Sequence, residues 1–140
     1  MSNLIQFTVL GRPEPQGSIR AFVVKGRPRL TSDNAKMKPW RQQVGQMALS
    51  ARSEAGCNEI WAARHQPVGI TYVFCLAKPK SAKKSRTSPA VKPDLDKLIR
   101  SASDALTGIL FDDDGQVVQV GASKIYGSPE RTEISVWRFV

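Results

Sequence analysis

Six aspartates (Asp94, Asp96, Asp104, Asp112, Asp113 and Asp114) crowd into one stretch of a 140-residue chain that carries only 12 acidic side chains against 21 Lys and Arg. Neighbouring carboxylates repel one another, and their pKa values rise unless positive charge sits among them. A hard divalent cation with oxygen ligands, Mg²⁺ or Mn²⁺, supplies that charge. It also lets an anionic phosphodiester approach, acidifies a water and stabilises charge building on the phosphorus oxygens.

Geometry decides which of these acids can converge. Residues two apart on a helix point about 200° apart, so Asp94 and Asp96 cannot share a helical face. Pro93 favours an extended Asp94, which suits a helix N-cap with Asp96 in the first turn. Asp96, Arg100 and Asp104 then fall within about 80° of one another on the polar side of that helix. Asp112, Asp113 and Asp114 lie in the following loop, just before a strand predicted from Gln116. If that strand pairs beside the helix, at least one of them returns to the first pair. Structural roles stand beside this reading: Asp94 as a simple cap, Asp96 complementing the helix dipole, and Asp112-Asp113-Asp114-Gly115 as a turn.

Other chemistries are short of parts. One histidine (His65) and two cysteines (Cys57, Cys75) cannot build a four-ligand zinc site, and a lone His argues against a Ser-His-Asp triad. No phosphate-cradling Gly-Lys loop is present, and no organic cofactor is indicated. No apolar run approaches the ~20 residues of a membrane span, and the first ten residues do not read as a signal peptide. The expectation is a cytoplasmic protein in a reducing compartment that does not engage membranes.

The charge balance, 21 − 12 = +9, points to a polyanionic partner, with nucleic acid first. Residues 78–92 carry Lys78, Lys80, Lys83, Lys84, Arg86 and Lys92, no acid, and otherwise mostly Pro, Ser, Thr and Ala. Such a stretch is expected to be a flexible basic loop that lies along phosphates and orders on binding. Arg20, Arg29, Lys36, Lys38, Arg41, Lys80, Lys83, Lys84, Arg86, Lys92, Lys97 and Lys124 are the expected backbone-phosphate contacts.

The elements that must position these groups follow from periodicity. Residues 4–10 read as a strand, and residues 19–24 and 29–31 flank Lys25-Gly26-Arg27 as a possible hairpin or basic arm. Met37, Trp40, Val44, Met47, Ala48 and Ala51 mark an amphipathic helix that ends near Gly56. A strand over 68–76 precedes a second helix over about 94–107, with Leu95, Leu98, Ile99, Ala102, Ala105 and Leu106 on its apolar face. Strands over 116–126 and 131–140 close the chain. This order predicts one α+β domain, residues 1–140, with a mixed sheet and two main helices. Trp40 is expected in the core; Trp61 and Trp137 suit either core or interface.

Three segments resemble the RusA family of Holliday junction resolvases. They are Lys92-Pro93-Asp94-Leu95-Asp96-Lys97-Leu98-Ile99-Arg100, Asp104-Ala105-Leu106-Thr107-Gly108, and Phe111-Asp112-Asp113-Asp114-Gly115-Gln116-Val117. The opening Gly11-Arg12-Pro13, Pro15 and Gly17, and the late Lys124, Tyr126 and Gly127, are similar to the family as well. The resemblance implies a RusA-like fold and a Mg²⁺-dependent endonuclease, with Mn²⁺ as a possible substitute. Such an enzyme acts as an intertwined homodimer that nicks two strands of a four-way DNA junction in recombination and repair, and the backbone phosphates expected on the basic side chains are then those of DNA. It places metal ligands and catalytic acids at Asp94, Asp96 and Asp114, with Asp113 the next candidate ligand and Asp112 shaping the turn. The family's lysine falls on Arg100, which keeps the charge but is a poor proton donor. Lys97 stands where the family has Asn. These two departures keep open an alternative, a catalytically silent junction-binding module on the same fold. A basic RNA- or ribosome-associated protein is a more distant reading.

Overall fold

The computed structural model describes residues 2–17, 19–32 and 34–140; the side chains of residues 19, 20, 31 and 32 are outside the described set. Arg20, expected on phosphates, therefore lies outside it. The chain runs β1 (Leu4–Leu10), β2 (Ile19–Val24), β3 (Arg27–Ser32), α1 (Met37–Glu54), β4 (Val68–Leu76), α2 (Leu95–Leu106), β5 (Val117–Tyr126) and β6 (Arg131–Arg138). A short 3-10 turn, Asp114–Gln116, leads into β5. The architecture is the predicted α+β one. β1, β6, β4 and β5 form a sheet in that order, with β4–β5 parallel and the other pairs antiparallel.

The apolar periodicities become the core. Trp40, Val44 and Ala48 of α1 and Leu98, Ala102 and Leu106 of α2 recur every four residues and are buried. They pack on Ile5, Val9, Ile70, Tyr72, Phe74, Ile134 and Val136 of the sheet. Tyr72 is buried with its hydroxyl 2.7 Å from Ser103 Oγ, and burial pushes its pKa up. Trp40 is core, as expected. Trp61 is buried too, with the Arg138 guanidinium 4.3 Å above its ring. Trp137 lies across Gly69, where an added Cβ would stand 2.2 Å from the indole. Only glycine lets that ring lie on β4.

One topological feature governs the acids. Parallel strands need a crossover, and residues 77–116 supply it. The basic segment turns at the C-terminal end of β4. α2 then runs back against the strand direction, and the 3-10 turn re-enters the sheet at the start of β5. The two ends of α2 are thus tied to opposite ends of β4 and β5. Residues 78–92 form neither helix nor strand and fold through local turns, such as Ala82 N donating to Pro79 O at 3.0 Å.

Candidate metal centre and nucleic-acid interface

Asp94 occupies the N-cap of α2 with extended backbone (φ −70°, ψ 137°), yet its side chain makes no capping hydrogen bond. Its backbone carbonyl accepts from Leu98 N at 3.1 Å. Asp96 sits in the first turn, and both carboxylates are exposed. Among the described residues neither has a side-chain hydrogen bond or ion pair. The capping role that Asp94 could have filled is therefore left undone.

Mostly positive charge lies beside Asp94. Asp94 lines a cavity of about 330 Å³ together with Arg12, Glu14, Lys92 and Lys97. The segment before β2 is docked here by Gln16 N donating to Lys97 O at 3.0 Å. Arg100, one turn beyond Asp96, is exposed and makes no ion pair among the described residues. Lys124 Nζ, reaching over from β5, donates to Val91 O at 2.8 Å and to Pro93 O at 2.9 Å. It therefore fastens the chain entering Asp94, a role the sequence reading did not assign to it.

The second acidic group is built differently. Asp113 Oδ1 accepts from Gly115 N at 3.2 Å and so caps the 3-10 turn. Buried Gln116 holds the loop from inside. Its Oε1 accepts from Asp112 N and Asp113 N at 2.8 and 3.0 Å, and its Nε2 donates to Ala63 O and Gln66 O at 2.9 and 3.0 Å. The sequence reading quoted Gln116 within the Asp-Asp-x-Gln pattern without giving it a role. The Gly115 amide, foremost, holds the Asp113 carboxyl below the usual carboxylate range. Asp114 is pushed the other way, first by its hydrogen bond with Asp113 and by that neighbour's charge, and further by Asp104. Asp112 pairs with exposed Arg64, at 3.9 Å.

The two groups do not meet within one chain. Asp114 feels Asp104, near the C-terminal end of α2, whereas Asp94 begins that helix. The helical rise from residue 94 to residue 104 is about 15 Å. Among the described residues no cluster of three or more His, Cys, Asp or Glu could hold a metal ion. The expected return of Asp113 or Asp114 to Asp94 and Asp96 is not made among the described residues of the single chain. β5 does pair beside the crossover, but in parallel with β4, so α2 must run the opposite way and keeps the acids at its two ends. The donors suit a hard cation in kind, since all are carboxylate oxygens. In number, each end falls short.

The expected phosphate contacts also divide. Arg29, Lys36, Lys38, Lys80, Lys83, Lys84 and Lys92 are exposed, and Arg86 and Lys97 are half-buried. Arg41 differs: its guanidinium is committed to Asp104 at 3.0 Å, to Ser101 Oγ at 3.4 Å and to Gln16 Oε1.

Comparison with known proteins decides the family. The family model described as Endodeoxyribonuclease RusA matches residues 11–137. The chain belongs to the RusA endodeoxyribonuclease family. It is also similar to the uncharacterized protein YqaN of Bacillus subtilis (strain 168), at 31% identity over 135 residues and 94% of each chain. Among the described residues no helix is long and apolar enough to cross a membrane.

Proposed function

We propose that this RusA-family protein is a divalent-metal-dependent nuclease that resolves four-way DNA junctions by paired nicks, acting as a homodimer. Asp94 and Asp96 form one half of each metal site. Asp114, with Asp113 beside it, forms the other half and comes from the second copy. Bound there, Mg²⁺ or Mn²⁺ would neutralise the phosphodiester and supply acidified water for hydrolysis.

The observation that carries this reading is the pair of carboxylates at the N-terminus of α2, without side-chain partners among the described residues, with Arg12, Lys92 and Lys97 lining the cavity beside Asp94. A helix N-terminus already favours anions, and Asp94 leaves its capping bond unmade. The three cations attract a backbone phosphate to the same place, and Arg100 neutralises it further along the helix. A two-fold dimer suits the separation of the acids. An isologous arrangement that brings one copy's N-terminal pair to the other's C-terminal pair makes two identical sites at once, related by an axis that an open four-way junction shares approximately. The basic loop at 78–92, Arg29, Lys36 and Lys38 then hold backbone phosphates.

The test is a labelled synthetic junction incubated with the protein. Symmetrically paired nicks near the crossover are expected with Mg²⁺ and none after EDTA treatment. A gel shift without product in Mg²⁺ and in Mn²⁺ contradicts the nuclease reading and favours the silent junction-binding module.

A further inference from the structure

We propose that the β2–β3 hairpin is a two-faced wedge for the centre of branched DNA, an inference that rests on the branched-DNA reading above. The hairpin makes its own two-stranded sheet, and residues 21–30 are all exposed. A lone two-stranded hairpin is marginal in water, so this one is built to meet a partner.

Register sorts its side chains. Directly paired residues share a face and successive residues alternate. Ala21 pairs with Leu30 and Val23 with Pro28, so the described side chains of one face, toward the tip, are apolar. Val23 is 71% exposed and Leu30 74%. Phe22 pairs with Arg29 and Val24 with Arg27, so the opposite face carries cations around an aromatic ring, with Lys25 at the tip. No acid occurs anywhere between residues 19 and 32.

One occupant satisfies both faces. Duplex DNA offers phosphates everywhere but hides its base faces in the stack. At an open four-way crossover each arm ends in a base pair with one uncovered face. Apolar side chains cover such faces in proteins that pry base steps apart. The hairpin's apolar face would lie on these exposed pairs, while Arg27, Arg29 and Lys25 reach the flanking phosphates. A purely apolar protein surface would not call for Arg27 and Arg29 on the second face and Lys25 at the tip. The wedge supplies preference for branches over duplex; the cations supply affinity for both.

The test compares the wild type with Val23→Thr/Leu30→Thr. The DNAs are a junction carrying 2-aminopurine at the crossover and a duplex of the same sequence, with binding measured in EDTA. The wild type should prefer the junction and raise the 2-aminopurine fluorescence. The double variant should lose that rise and roughly tenfold of the preference, with duplex affinity within about twofold. Arg27→Gln/Arg29→Gln should weaken both DNAs alike and flatten the salt dependence by about two charges. Wild-type nicking of junctions with preference and fluorescence unchanged in Val23→Thr/Leu30→Thr overturns the wedge alone. Dissociation of a wild-type dimer by that variant in sedimentation also overturns it, since the apolar face would then lie between copies. A wild type that neither nicks nor prefers the junction overturns the branched-DNA reading and the wedge together.

Discussion

At Asp94 the backbone and the side chain do different jobs. The backbone starts α2, with its carbonyl accepting the first helical hydrogen bond, while the carboxylate has no partner among the described residues. Asp113 shows the contrast, since its carboxylate is used by the turn it begins. The residue types and the Pro93 signal made the N-cap position legible in the sequence. Whether the side chain would be occupied was not legible, because that depends on a rotamer set by tertiary neighbours. Lys124 was illegible for the same reason: it is one lysine among many until β5 lies beside the segment entering α2. Arg100 yields a prediction at this scale. A guanidinium holds charge but donates no proton near neutral pH. Arg100→Lys should therefore raise the single-turnover nicking rate, by about tenfold or more if a leaving oxygen is protonated there. An unchanged or lower rate would show that charge alone matters at this position.

At the scale of elements, the turn between α2 and β5 depends on a side chain that touches no substrate. Gln116 satisfies two backbone N–H groups and two carbonyls at full hydrogen-bonding distance, and it is buried. Gln116→Ala should leave these groups unpaired and lower stability by about 2–4 kcal/mol in chemical denaturation. A loss within experimental error would show that water replaces the amide. Helix and strand positions were readable because Trp40, Val44 and Ala48, or Leu98, Ala102 and Leu106, mark a buried stripe by spacing alone. The direction of β5 was not. Antiparallel or parallel pairing of residues 117–126 produces the same alternation, and only the second separates Asp114 from Asp94. A local pattern does not encode strand order, so whether the acids converge within one chain or between two was not legible in it.

The whole molecule is a cationic body with half of its twelve acids on or beside one helix, α2. Net charge of +9 favours a DNA partner through its phosphates. With six to ten phosphate contacts, junction affinity should fall by about a thousandfold or more between 50 and 200 mM salt. A flat dependence would contradict a phosphate-based interface. The separation of Asp94 from Asp114 makes a sharper demand, that each site be completed by the other copy. Asp94→Asn and Asp114→Asn proteins, each inactive alone, are mixed after unfolding and refolding together, and junction nicking is measured in Mg²⁺. In a mixed dimer one site receives both substitutions and the other receives none. The account predicts that nicking returns and falls on one strand of each junction. A mixture as inactive as its components would contradict it, because sites formed within single chains each carry one substitution and cannot be rescued by mixing.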